Sequence, residues 1–170
     1  LAGHTTSPTA VDWDRDGVRD LLVGAEDGRF YYQKQKRVDP MRIESFLIEG
    51  RGFEVATLDN GQSAYGNREY IWFDVPDELR GGQVTRTSGG VRAVIRVTCA
   101  ETTMLRMATA AVQKGVSLEG WKKVEGMGFG YPDQRRTWMA VFERDVKAGE
   151  TLEIPQGNWA GGLVLLPRAK

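Results

Sequence analysis

Cysteine and histidine are almost missing from this chain, with Cys99 and His4 the lone examples among 170 residues. One cysteine excludes an intrachain disulfide, and its place in the apolar run VRAVIRVTCA marks a small core residue. One histidine, in a polar N-terminal stretch, leaves catalytic triads little to build on. No charge of one sign prevails either: Lys plus Arg number 23 and Asp plus Glu number 23, so nothing steers the chain toward nucleic acid or an anionic membrane. The longest apolar runs, such as GGLVLLP, fall far short of the roughly 20 residues that cross a bilayer as a helix, and no membrane span is expected. The signatures G-x-S-x-G, G-x-x-x-x-G-K-[ST], H-E-x-x-H and C-x-x-C are absent. The sequence begins at Leu1 without a charged-then-apolar leader and enters a motif within its first ten residues. That start fits a mature form or, the reading favoured here, a piece of a longer protein.

Glycine, in contrast, is plentiful at 21 residues, and short apolar runs alternate with turn signals such as GAEDGR, LDNGQ, LRGGQ and KAGE. Short runs punctuated this way predict an all-β sandwich or barrel. In VRAVIRVTC, Val91, Ala93, Ile95, Val97 and Cys99 share one face of a strand, with Arg92, Val94, Arg96 and Thr98 on the other. Strands are expected at 9–13, 20–24, 28–33, 41–48, 53–57, 69–75, 91–99, 103–110, 137–144, 150–154 and 162–166. Residues 111–124 are ambiguous, with a short helical turn one option. A boundary is expected near QKQKRVDP, residues 33–40. It leaves a first part (1–36) too small for its own core and a second (41–167) large enough for a complete sandwich of jelly-roll or immunoglobulin-like type.

The run AVDWDRDGVRDLLVG sets Asp12, Asp14, Asp16 and Asp20 within one turn. Carboxylates this close repel unless a cation compensates them. Counted from Asp12, acids fall at positions one, three, five and nine, Gly17 takes the sixth, and Val18 at the seventh can offer its carbonyl. Calcium takes six to eight oxygen ligands, and glycine permits the sharp turn that brings alternate side chains inward. The twelfth position is Val23 and the flanks read as strands, so this is not an EF-hand. The alternative is a polar turn neutralised by Arg15 and Arg19. The stretch PTAVDWDRDGVRDLLVGAEDGRFYYQ, residues 8–33, resembles the FG-GAP or VCBS repeat of integrin-like β-propellers. The resemblance implies a single hairpin with a structural calcium ion held by Asp12, Asp14, Asp16, the Val18 backbone and Asp20. One repeat cannot close a propeller, so the remaining blades of a longer parent chain are expected partners.

The phrases LDNGQSAYGNREYIWFDVPDELRGG, LEGWKKV and VFERDVKAGETLEIPQGNWAGGLVLLP resemble the β-rich accessory modules of secreted bacterial glycan-active enzymes. Alternation in REYIWFDV puts Tyr70 and Trp72 on the face opposite Ile71 and Phe73, which makes Trp72 a candidate for exposure. Trp121 and Trp159, each beside glycine, are placed in loops. Tyr70, Trp72, Trp121 and Trp159 are therefore carbohydrate-binding candidates, since a pyranose stacks its apolar face on an aromatic ring. The competing reading makes these rings caps of the sandwich core, and Trp138 is expected inside. Glu69, Asp74, Glu119, Glu125, Asp133 and Glu143 could supply the carboxylate pair of a glycosidase, but spacing selects none of them. The pair Arg135–Arg136 could contact an acidic sugar or lie in a solvated turn.

The expectation is thus a secreted or cell-surface module with no catalysis of its own: calcium-binding at the hairpin, and carbohydrate-binding or structural in the sandwich. A glycan or another cell-surface protein would be its partner. Part of a secreted glycoside hydrolase or lyase, or a structural cap of a propeller, are the alternatives.

Overall fold

The computed structural model describes residues 7–15, 19–34, 38–90, 92–110, 117–157 and 159–167. Among them are fifteen strands and no helix. The chain divides into two compact units, Leu1–Arg37 and Val38–Lys170. No helix is long and apolar enough to cross a membrane.

The smaller unit is one antiparallel sheet of β1 (Ser7–Val11), β2 (Asp20–Gly24) and β3 (Phe30–Gln33) in the order β1-β2-β3. Register runs from Ser7 opposite Gly24 to Val11 opposite Asp20, and from Leu21 opposite Gln33 to Gly24 opposite Phe30. Strand β3 is exposed along its whole length, and Asp20 is the one buried side chain among the unit's described residues. Three short strands with so little buried apolar surface are a marginal structure in water.

The larger unit contains β4 (Val38–Ile43), β5 (Phe46–Arg51), β6 (Phe53–Leu58), β7 (Ser63–Tyr65), β8 (Arg68–Ile71), β9 (Gly82–Thr87), β10 (Val94–Cys99) and β11 (Thr103–Ala110). It continues with β12 (Lys122–Gly130), β13 (Trp138–Val146), β14 (Thr151–Glu153) and β15 (Gly162–Leu166). A four-stranded sheet, β14-β10-β5-β4, faces a six-stranded sheet, β12-β13-β11-β15-β9-β6. The fold is therefore an all-β sandwich. Ile48, Ile95, Val97 and Cys99 from the first sheet meet Leu105, Met107, Phe142 and Val164 from the second in one buried cluster. Burial also pushes the Cys99 thiol above its ordinary range, which leaves it an inert core group.

The six-stranded sheet is covered on its other face as well. Ala108, Met139, Val141, Leu163 and Leu165 point there and pack beneath Tyr65, Trp72, Val75 and Leu79, which belong to the β7–β8 hairpin and the segment after it. A strand buried on both faces has no polar side to alternate with. This explains GLVLL in β15, where all five residues are buried, and MAVF in β13. Hydrogen bonds stitch the covering layer down: Phe73 and Gly130 exchange backbone bonds at 2.9 and 3.0 Å, and Asn67 pairs with both backbone groups of Gly89.

Three sequence expectations change. Residues 41–48 are two strands, because Glu44 and Ser45 make a two-residue turn between Ile43 and Phe46, with Glu44 in the left-handed region at φ 50°. No Gly, Asn or Pro announces that turn. Strand β9 was unexpected because its sequence GQVTRT is polar, yet Thr85 is fully buried and accepts a hydrogen bond from the Val164 N–H. Strand β12 occupies part of the ambiguous 111–124 region and continues through KKVEGMGFG, whose glycines read as turn signals. They serve a different purpose. A Cβ on Gly128 would lie 2.4 Å from Trp138 Nε1, and one on Gly130 would lie 2.6 Å from Phe73 Cζ, so both strand positions admit an aromatic ring directly against backbone. Residues 111–116 fall outside the described residues.

Gly130→Ala should therefore destabilise the sandwich by about 1–3 kcal/mol in urea titration, the usual cost of overpacking. Gly149→Ala is a control: no atom lies within 4 Å of its Cβ position, but its φ of 78° is strained for alanine, so about 1 kcal/mol is expected. A Gly130 variant as stable as wild type would show that Phe73 does not rest on β12.

Candidate functional site

The described residues 154–157 and 159–161 lie between β14 and β15. The connection starts with Ile154, whose N–H donates to the Ile95 carbonyl, and ends at Gly162 on the first residue of β15. Between these anchors Gln156 acts as a clamp: its Nε2 donates to the Gly162 carbonyl at 2.8 Å and its Oε1 accepts from the Gly162 N–H at 3.2 Å. Gly161, at φ 69°, and Gly162 leave no room for side chains, since a Cβ would lie 2.7 Å from Gln156 Oε1 at the first and 2.3 Å from the Pro155 carbonyl oxygen at the second. Ala160 is buried, while its neighbour Trp159 stands 45% exposed. The Gln156–Gly162 clamp thus closes a loop on which Trp159 is partly exposed.

Trp159 lines two depressions at once. One, of about 370 Å³, is bounded by Tyr70, Asp133, Gln134, Arg135 and Trp159. The other, of about 310 Å³, includes Thr87, Arg92, Gln156 and Gly161 beside Trp159. Tyr70 is held from below: its ring stacks on Tyr131 at 5.6 Å and 22°, Tyr131 meets Trp72 at 5.8 Å, and Trp72 meets Phe129 edge-on at 5.0 Å. An aromatic column therefore runs from the buried core to the depression floor. Beside it, Tyr65 is buried, which pushes its phenol well above the ordinary range and keeps it neutral.

The turn from Asp133 to Thr137 supplies the opposite wall. Asp133 Oδ1 accepts from the Arg135 and Thr137 N–H groups at 3.1 and 2.8 Å, and Oδ2 accepts from Thr137 Oγ1 at 2.7 Å. Its carboxylate is thereby committed to the turn. The two arginines of the basic pair part company here: Arg136, at φ 49°, lies over the Phe73 ring with 5.3 Å to the centroid, whereas Arg135 lines the depression.

Of the carbohydrate-binding candidates, Tyr70 and Trp159 come together and the other two do not. Trp72 is 1% exposed, against the expectation that it faces outward. Tyr70 and Trp72 do share a face, but that face is turned toward the six-stranded sheet, and Ile71 is the exposed residue. Trp121 packs with Leu118 against the core between the sheets and lines neither depression. Trp138, expected inside, is 40% exposed and lies over Gly128. It shares the inward face of Ala140 and Phe142 but sits at the strand's end, where cover runs out. Among the suggested carboxylates, Asp133 alone lines the depression with Trp159, so no glycosidase-type pair is assembled there. A separate depression, of about 470 Å³, carries Glu44 and Glu78 beside Arg106, with Glu78 3.6 Å from that guanidinium.

In the smaller unit, Asp16, Gly17 and Val18 lie outside the described residues. Among the described residues, no group of three or more acids, histidines or cysteines is arranged to hold a metal. Asp20 Oδ2 accepts hydrogen bonds from Tyr32 OH at 3.0 Å and the Trp13 N–H at 3.3 Å, and Asp14 is ion-paired with Lys34. Lys34, the residue after β3, is thus one cation that answers Asp14. The donors present are all oxygens, a set that suits calcium rather than a softer metal.

No family model and no curated protein matches the chain. Its fold is similar to part of a solved glycoside hydrolase. The match is to a structure described as a beta-glucuronidase from glycoside hydrolase family 2, with a TM-score of 0.56 and 15% sequence identity, over 89% of this chain. The chain spans 21% of the length of that enzyme. Identity this low speaks to the fold alone.

Trp159→Ala should change unfolding free energy by less than about 0.5 kcal/mol, as expected of an exposed side chain, whereas Trp72→Ala should cost about 3–5 kcal/mol. Urea denaturation followed by circular dichroism distinguishes the two. A large loss at Trp159 would make that ring a core element instead of a surface one.

Proposed function

We propose that the larger unit is a non-catalytic carbohydrate-binding module of a longer secreted or cell-surface protein, with Tyr70 and Trp159 as its sugar-stacking rings. The observation that carries this reading is the half-exposed Trp159 ring sharing one depression with Tyr70, on a loop that Gln156 clamps. Nearly half of this ring stays in water, although burying apolar surface is favourable. An aromatic ring bordered by polar side chains suits a pyranose, whose apolar face stacks while its hydroxyls hydrogen-bond at the rim. The likeness to a fifth of a beta-glucuronidase supports a module within a glycan-acting parent, which is the alternative in which catalysis lies elsewhere in that parent.

For the smaller unit we propose a structural calcium site on Asp12, Asp14, Asp16, the Val18 carbonyl and Asp20, as in the repeat it resembles. Calcium would supply the charge that lets the four carboxylates share one turn. Lys34 then competes for Asp14. Calorimetric titration of the chain with calcium should show binding that Asp16→Asn weakens and Lys34→Met strengthens. Absence of heat at millimolar calcium in both wild type and Lys34→Met would reject the site.

The sugar reading is tested by affinity electrophoresis through soluble polysaccharides. Retardation by at least one polymer, lost in Trp159→Ala and reduced in Tyr70→Ala with melting temperature kept in the former, is the expected result. Retardation that Trp159→Ala leaves unchanged would reject this surface as the binding site.

A further inference from the structure

We infer that the groove on either side of Trp159 selects acidic polysaccharides, with Arg135 and Arg92 as the groups that recognise carboxylates of uronic acid residues. The inference rests on the carbohydrate reading above and adds the class of sugar.

The two depressions that share Trp159 each contain one arginine: Arg135 on the Tyr70 side and Arg92 on the Gln156 side. Both are exposed, and neither forms an ion pair among the described residues. Several other arginines of the same sandwich, though not all, are already engaged. Arg86 is bound to Glu54 at 2.9 Å, Arg144 to Glu150 at 3.5 Å, Arg80 to Asp77 at 2.9 Å, and Arg136 covers Phe73. The acid nearest Arg135 along the chain, Asp133, has both oxygens engaged by its own turn. A guanidinium presents a planar fork of N–H donors that fits a carboxylate bidentately.

The surface also continues. A third depression shares Arg92 and Gln156 with the second and adds Arg51, with Glu153 as its acid. Arg135, Trp159, Arg92 and Arg51 thus follow one another along connected hollows, with two acids against three arginines. Such an arrangement matches a chain of sugars bearing regularly spaced negative charges, with one ring stacked on Trp159 and carboxylates on both sides of it. A neutral glycan would leave the guanidiniums without partners, and a compact anion would leave the indole unused.

Homogalacturonan and its fully methyl-esterified form provide the discriminating pair, because esterification removes the charge and keeps the sugar backbone. Alginate and hyaluronan supply two further uronate geometries, and a sulfated neutral-backbone polymer, dextran sulfate, separates carboxylate recognition from general anion attraction. The full chain should be retarded by at least one uronate polymer. For homogalacturonan, esterification should weaken binding by about tenfold or more, the scale of a lost charge-assisted pair. Arg135→Gln and Arg92→Gln should each weaken uronate binding several-fold and flatten its salt dependence, with melting temperatures unchanged. Equal binding of a neutral polymer that still requires Trp159 would overturn the acidic-sugar inference and keep the carbohydrate reading. Preference for dextran sulfate, insensitive to Trp159→Ala, would overturn the inference in favour of plain anion attraction. Failure of every polymer, acidic and neutral, would overturn both.

Discussion

Burial on both faces of residues 107–110 in β11, 139–142 in β13 and the whole of β15 is the constraint from which the rest of the sandwich follows. These stretches cannot alternate exposed and buried residues, so they need cover on each side. One cover is the four-stranded sheet. The other is a layer of irregular chain led by the β7–β8 hairpin, and irregular chain covers an apolar surface only when its backbone groups find partners. The Phe73–Gly130 bridge, the Asn67–Gly89 pair and the contacts of Gly61 and Gln62 with Trp72 provide them. The rings of Tyr65, Tyr70, Trp72 and Tyr131 fill the layer, while Gly130 leaves room for Phe73 beside β12.

This arrangement determines what the sequence reveals. Strand β10 is legible because its outward face is solvated: Ala93, Ile95, Val97 and Cys99 are buried, while Arg92 and Arg96 are exposed, as alternation predicts. The all-β class is legible from the spacing of turns. Strand β12 is not, since glycines that make space for Trp138 and Phe73 look the same in sequence as glycines that make turns. The hairpin at Glu44–Ser45 is hidden because a glutamate takes a left-handed conformation that sequence assigns to glycine or asparagine. Alternation correctly grouped Tyr70 with Trp72, but it cannot say which face is inward when a second layer lies outside the sheet.

The candidate site lies where that outer layer meets the β14–β15 connection. Its aromatic column joins rings of two kinds: Trp72, which stabilises by burial, and Tyr70, which is anchored by the column and partly open to solvent. Trp159 completes the surface from a different part of the chain, on a loop closed by an amide clamp that no motif announces. The basic pair Arg135–Arg136 was visible in the sequence, yet its division of labour depends on the left-handed turn at Arg136, which sends one guanidinium onto Phe73. In the sequence Arg92 is only a residue on the outer face of a strand; its position beside Gln156 comes from the fold.

The proposed function requires a sugar to meet Trp159 beside Tyr70, whose ring rests through Tyr131 on Trp72. The most direct measurement is a titration of ¹⁵N-tryptophan-labelled protein with uronate oligosaccharides, following the five indole N–H resonances, which number one for each tryptophan of the chain. A saturable shift of the Trp159 resonance is expected, with those of Trp13, Trp121 and Trp138 unmoved and Trp72 affected at most weakly. A saturable shift at Trp121 or Trp138 with Trp159 unmoved would contradict the proposed function.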